Sequence, residues 1–345
     1  MTIGVLHVGL GPIGSAVARQ IASRAGFSCA GAVDIDPAKA GQDLGDVLGL
    51  GRELNSTVWL DLASALAEAK PDVVALCTSS SLERVFGQLQ VILQAGVPVV
   101  STTEELAFPS PSNSALVARI DDLARQRNVA VLGTGVNPGF VMDALPIMMT
   151  GPCERVDCIR IDRIQDASIR RLPFQKKIGA GLTVEEFERL VANGGVRHVG
   201  LTESIHMIAA AMQWKVERVT DQIKPQIART RTVSQFIGVE PGLVCGLVQD
   251  GTGYVGGKPL IKLHMEAYLG APESYDLIEI EGSPPLQVKI IGGTHGDIAT
   301  ASIVVNSIPK ILAATPGYKT MRDLPIPSFF RGSERVAPHA TVAPA

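Results

Sequence analysis

Gly9-Leu10-Gly11-Pro12-Ile13-Gly14 follows the apolar run Ile3-Gly4-Val5-Leu6-His7-Val8 and opens a stretch carrying Ala16, Val17, Ala18, Ile21 and Ala22. The pattern is a strand, a glycine-rich turn and a helix with one apolar face. The first glycine permits the tight turn, the second lets a pyrophosphate approach the backbone, and the third lets helix and strand pack closely. Free N–H groups at the helix start then meet the phosphate charge. Gly9, Gly11, Pro12, Ile13 and Gly14 are therefore candidate coenzyme contacts. Such a motif is weak evidence alone, and its alternative is a turn that binds nothing. The context strengthens it, because Asp34 lies 20 residues beyond Gly14 at the end of a second apolar run, where an acid can bond the adenosine ribose. Its charge repels a 2′-phosphate and favours NAD. Lys39 and Arg52 are close enough in sequence to offset that charge and keep NADP possible.

Outward from this turn, short apolar runs at 29–34, 57–60, 72–77, 97–101 and 129–133 alternate with helical stretches at 14–25, 62–69, 82–95 and 113–127. That rhythm predicts an α/β Rossmann domain, a doubly wound parallel sheet, over 1–136. Leu76-Cys77-Thr78-Ser79-Ser80-Ser81 ends one strand, so Thr78 and Ser79 fall in the coenzyme crevice; their hydroxyls would serve the ribose or phosphate, or cap the next helix. From 137 the segments lengthen and alternate, at 156–164, 260–269, 277–281 and 288–291. They predict a second α+β domain with a mainly antiparallel sheet over 137–295. Thr183-Val184-Glu185-Glu186 is a capping box opening a helix that Gly194-Gly195 closes, and another helix is expected over 202–214. A helix from Gly296 is expected to return to the first domain within 296–327, and 328–345 to form a mobile tail.

The chain of 345 residues suits two domains. A formal net charge of −3 gives no overall pull toward nucleic acid or an anionic membrane, which leaves a small molecule as the expected partner. The 5 cysteines form no C-x-x-C pair, so no disulfide framework or structural zinc is expected. His206, His264 and His295 show no ligand spacing with nearby acids, and no metal is expected. Met1 runs directly into the first strand without a basic leader, and no apolar run approaches the ~20 residues that span a bilayer. A cytoplasmic location is the expectation.

Ser101-Thr102-Thr103-Glu104-Glu105-Leu106, Gly135-Val136-Asn137-Pro138-Gly139-Phe140, His198-Val199-Gly200-Leu201-Thr202-Glu203-Ser204 and Gly296-Asp297-Ile298-Ala299-Thr300 together resemble the 2,4-diaminopentanoate dehydrogenase and native amine dehydrogenase family. The resemblance runs from the glycine-rich turn to about residue 309. That family is related in fold to dihydrodipicolinate reductase, whose paired histidine and following lysine are not found here. The resemblance implies reversible oxidative deamination of an amine, or reductive amination of a ketone or aldehyde by ammonia, with a nicotinamide coenzyme. It also implies a homodimer. The family's catalytic glutamate carries onto Glu104, with Glu105 as the alternative.

A carboxylate just beyond a strand's carboxyl end can hold an ammonium, accept its proton and stabilise a cationic iminium. Its bland alternative is a solvated or capping acid. Asn137 is a candidate for the nicotinamide amide, and Phe140 for a wall of the substrate pocket. Arg163 and His198 would line the far end, where an arginine can pair with a substrate carboxylate; Thr300 completes the candidate pocket. The competing functions are a dihydrodipicolinate-reductase-like imine reductase and a coenzyme sensor without turnover.

Overall fold

The computed structural model describes residues 2–331. Its first sheet takes β1 (Ile3–Val8), β2 (Phe27–Val33), β3 (Val58–Trp59), β4 (Val73–Leu76), β5 (Val99–Ser101) and β6 (Ala130–Gly133). The second takes β7 (Arg155–Asp166), β8 (Arg218–Ile227), β11 (Val244–Val255), β12 (Lys258–Tyr268), β13 (Tyr275–Ser283) and β14 (Leu286–Ile291). Between β8 and β11, β9 (Thr232–Val233) and β10 (Gly238–Val239) make a small hairpin, and β15 (Gly317–Lys319) returns to the first sheet.

The first sheet is parallel throughout, in the order β15-β6-β5-β4-β1-β2-β3. Side chains alternate between two cores, Val5, Val73 and Ala75 on one face and Leu6, Val74 and Leu76 on the other. Burial on both faces explains why these strands read as continuous apolar runs. The second sheet has the order β14-β13-β7-β12-β11-β8 and is antiparallel except between β12 and β7.

The sequence pattern does not announce β11, because Gly246, Gly251 and Gly253 dilute it. Packing supplies the reason for the last two: a Cβ at Gly251 would stand 3.2 Å from Ile205 and Leu201, and one at Gly253 only 2.7 Å from Ile205. The Leu201–Ala211 helix lies directly on this strand. The capping box at Thr183 and Glu186 closes as its residue types require.

The Gly296–Leu312 helix packs along the Pro12–Ser23 helix, with Gln20 donating to Ser302 at 3.0 Å. Its buried Ala301, Val304, Val305 and Ile308 belong to the same core as Val5 of β1 and Ile159, Ile261 and Ile278 of the second sheet. One hydrophobic core therefore joins the two sheets and fixes the cleft between them. Of the tail expected from 328, residues 332–345 lie outside the described residues, while Phe330 packs at 5.6 Å against Phe27. Among the described residues no helix is long and apolar enough to cross a membrane.

Candidate active site

Gly9 has φ +90°, and a Cβ there would meet the Cys77 carbonyl oxygen at 2.7 Å. At Gly14 a Cβ would lie 1.8 Å from the Gly9 carbonyl oxygen, so helix and strand could not keep their distance. Gly11 differs: a Cβ there would meet nothing within 4 Å. The open space lies before the Pro12–Ser23 helix, whose N-terminus carries no side-chain cap. Its unpaired N–H groups and the open space at Gly11 are what a helix N-terminus offers to a phosphate.

Asp34 follows β2 and accepts hydrogen bonds from the Leu10 N–H at 2.7 Å and the Asp36 N–H at 3.0 Å. Lys39 Nζ lies 3.1 Å from the same carboxylate. Burial works to raise its pKa, but the Asp36 and Leu10 donors and the Lys39 ammonium together hold it below the usual carboxylate value. Thr78 and Ser79 lie at the crevice, with Thr78 bonded to Gln88 at 2.7 Å and Ser79 accepting from the Ser81 N–H at 3.2 Å.

A cleft of about 410 Å³ opens beyond the carboxyl ends of the first sheet. It brings together Gly11, Pro12, Ile13, Thr78, Ser79, Glu104, Asn137, Arg163, His198 and Thr300 from both sheets and their connections. Phe140 is not on its wall: the half-buried ring packs into the core instead. Its backbone carbonyl accepts from Leu145, so the chain there is turning into the next helix.

The neighbouring glutamates separate in the short 3-10 turn Glu104–Leu106. Glu104 faces the cleft, with Lys177 Nζ 3.9 Å from its carboxylate. Glu105 instead accepts from the Leu82 N–H at 2.8 Å, capping the Leu82–Gln94 helix whose own N-cap Ser81 makes no such bond. Arg197 lies 3.4 Å from its other oxygen.

Arg163 reaches the cleft wall, but its guanidinium is already engaged, bonded at 2.7 Å to the fully buried Asp276 and at 2.8 Å to the Thr294 carbonyl. The side chain expected to meet a substrate carboxylate is thus held in an internal ion pair at the cleft wall. Other cations, which the alternating strand pattern gave no reason to select, stand at the cleft: Arg170, Arg171 and Lys177. Arg170 makes two bonds to Asp297, at 3.2 and 3.0 Å, and Arg171 one at 3.1 Å. Arg171 and Lys177 are partly exposed and keep free donors on this wall. Gln175 is fully buried behind them and donates to the carbonyls of Ala167 and Arg170, both at 2.9 Å.

Thr300 Oγ1 accepts from the Val136 N–H at 3.3 Å, tying the last long helix to the interdomain loop. Beside it, Thr134 Oγ1, Asn137 Oδ1 and His198 Nε2 are sealed from solvent with no partner among the described residues. Burial, then Lys177, Arg163 and Arg170, push the His198 imidazole down to about 3 against the opposing contact with the Asn137 backbone. It is neutral at ordinary pH. Among the described residues no group of His, Cys, Asp and Glu has the geometry of a metal site.

The parallel sheet, the glycine cradle and a second sheet closing the cleft define a two-domain Rossmann oxidoreductase. The model for the 2,4-diaminopentanoate dehydrogenase C-terminal domain matches residues 140–339. A 2,4-diaminopentanoate dehydrogenase from Acetoanaerobium sticklandii is 33% identical over 340 residues, 96% of each chain. The chain belongs to the 2,4-diaminopentanoate dehydrogenase family. An amine dehydrogenase structure from Mycobacterium smegmatis superposes with a TM-score of 0.86 at 27% identity, covering 96% of this chain and 99% of that one. A dihydrodipicolinate reductase from Paenisporosarcina shares the fold at 16% identity and a TM-score of 0.51, covering 93% and 99%.

Proposed function

We propose that this chain is a nicotinamide-dependent amine dehydrogenase acting on a small amine that also carries a carboxylate, with NAD as the preferred coenzyme. The carrying observation is the cleft's charge pattern: the Glu104 carboxylate faces it together with the cations Arg171 and Lys177, Lys177 Nζ standing 3.9 Å from that carboxylate. The carboxylate suits an ammonium and the neighbouring cations an anion, the two kinds of group that a diamino acid carries. Membership of a family that includes a 2,4-diaminopentanoate dehydrogenase supports this reading.

In the reaction a protonated primary amine, oxidised NAD and water give the corresponding ketone or aldehyde, an ammonium ion, NADH and a proton. Its reverse is reductive amination. The coenzyme supplies the hydride acceptor. Gly11 and the free N–H groups of the Pro12–Ser23 helix would hold its pyrophosphate, Asp34 its adenosine ribose and Asn137 its carboxamide. Thr78 and Ser79 would complete the crevice. Glu104 holds the ammonium and takes one of its protons, freeing the nitrogen lone pair that forms the iminium as hydride leaves carbon. The carboxylate then stabilises the iminium and orients the water that adds to it.

Arg163 supports the wall through Asp276, and Thr300 steadies the loop that carries Asn137. We further propose that the protein works in the cytoplasm as a homodimer.

The test is a reductive-amination screen of ketones and aldehydes with ammonia and each reduced coenzyme. NADH oxidation that requires ammonia and is fastest with keto acids is the expected result. Turnover of cyclic imines without ammonia would replace this reading with an imine reductase, and tight NADH binding without any turnover would replace it with a sensor.

A further inference from the structure

The turn that carries Glu104 satisfies only half of its own backbone carbonyls. Thr103 O accepts from the Leu106 N–H at 3.0 Å and Glu104 O from the Ala107 N–H at 3.0 Å, both within the turn. The next two depend on side chains from elsewhere. Glu105 O accepts from Asn113 Nδ2 at 2.6 Å, and Leu106 O accepts from the Tyr318 hydroxyl at 2.8 Å, across 212 residues of chain. We propose that Tyr318 is a positioning residue for Glu104: its hydroxyl fixes the far end of the turn and so holds the Glu104 carboxylate at the cleft. This rests on the amine-dehydrogenase reading, in which Glu104 is the base.

Tyr318 is itself firmly mounted. It lies in β15 opposite Val131 of β6, its N–H donates to Asp121 Oδ1 at 2.8 Å, and its ring packs against the core of Val117, Ile120 and Val131. Burial, then the Asp323 and Glu203 carboxylates, raise the phenol well above its ordinary value, so the hydroxyl keeps its proton at any working pH. The turn lies hard against the sheet, where a Cβ at Gly133 would stand 2.5 Å from the Leu106 carbonyl carbon and oxygen. A turn released at Leu106 cannot settle onto β6; it moves away from the sheet and takes Glu104 with it.

The near end of the turn is anchored separately. Thr103 Oγ1 donates to Ser79 O at 2.8 Å, and the Glu105 N–H donates to Ser80 O at 3.2 Å. These bonds tie the turn to the loop bearing Thr78 and Ser79, and neither involves Tyr318. Loss of the hydroxyl therefore loosens one end of the turn while the coenzyme crevice stays tied to the other.

The experiment is a double-mutant cycle in kcat for reductive amination, at saturating ammonia, carbonyl substrate and NADH. Tyr318→Phe keeps the ring and removes only the donor. It should lower kcat about ten-fold or more, since a misplacement of about 1 Å can cost up to about 10²-fold. The NADH Kd, titrated by fluorescence, should stay within about two-fold. In a Glu104→Gln background the same change should cost less than about two-fold, because a residue that acts through the carboxylate has nothing left to position. Equal losses in the two backgrounds would make Tyr318 a merely stabilising residue and overturn the assignment. An unchanged kcat in Tyr318→Phe, or a defect that appears only as weaker NADH binding, would overturn it as well. Near-full turnover by Glu104→Gln alone, or a wild-type enzyme with no ammonia dependence, would instead overturn the reading on which it rests.

Discussion

At the scale of single residues, one peptide unit separates two different uses of a carboxylate. Glu104 lies open to the cleft and Glu105 closes a helix end. Replacing Glu104 with Gln removes the base and the negative charge while keeping the side chain's shape. Turnover in both directions should fall about 10²–10⁴-fold with NADH affinity retained. Glu105→Ala should instead lower stability by about 1 kcal/mol through loss of the cap, with a much smaller effect on kcat. A severe kinetic defect confined to Glu105→Ala would move the chemistry one residue along. Asp34 supports a second test. With Lys39 3.1 Å away, Asp34→Ser removes the anion and leaves an unneutralised ammonium where a 2′-phosphate would lie. The ratio of kcat/KM for NADP over NAD should rise by about ten-fold or more; an unchanged ratio would detach Asp34 from the ribose.

Among the elements, the cationic wall depends on a short segment that a hidden amide organises. Gln175 lies in the Leu172–Lys177 helix, donates to the carbonyls of Ala167 and Arg170, and accepts from Ser234 Oγ at 2.8 Å near the β9–β10 hairpin. It therefore joins the turn bearing Arg170 and Arg171, the helix bearing Lys177 and the hairpin. Gln175→Leu keeps much of the volume but takes the Gln175 donor from the Arg170 carbonyl, while Ala167 O keeps the Arg170 N–H, at a cost of about 1–3 kcal/mol. We expect KM for carboxylated substrates to rise more than KM for neutral amines, with kcat changed less. A uniform loss across both substrate sets, tracking only the fraction folded, would reduce Gln175 to a stabilising role.

Over the whole molecule, the two domains meet around a buried acid. Glu203, on the Leu201–Ala211 helix of the second domain, is 6% exposed. Burial, together with the Glu105 carboxylate of the first domain, pushes its carboxyl up to about 7, against the pull of its own backbone, Ser110 and Arg197. The native state thus retains a proton that the unfolded chain releases near 4.5, so stability falls as pH rises from about 4.5 to about 7. The lost stability amounts to about 3 kcal/mol. His7 acts in the opposite direction. Burial holds it neutral with a pKa of about 4, so stability also falls as pH drops below its ordinary 6.5. Glu203→Gln should flatten the decline above pH 4.5 and raise Tm at pH 8 relative to wild type. Parallel curves of Tm against pH for the two proteins would show that Glu203 carries no such linkage.

Much of this architecture is local in origin and therefore legible in the chain. Fully buried parallel strands appear as apolar runs, Gly9 and Gly14 occupy positions where a Cβ collides, and Thr183 and Glu186 close a cap by their types alone. Each of these follows from residue type and short-range pattern. The cleft depends on partners far apart in sequence, and there the chain alone was silent or misleading. Arg163 is held in an ion pair by Asp276, 113 residues later, and Phe140 is drawn into a core assembled from both sheets. Gly251 and Gly253, which help hide β11, are explained only by the helix lying on them. Residue type and spacing determined the sheet, the coenzyme turn and the glutamate pair. Only tertiary packing decided which glutamate faces the cleft and which cations are left free there, because a side chain's direction and its available partners are set by contacts that folding brings together.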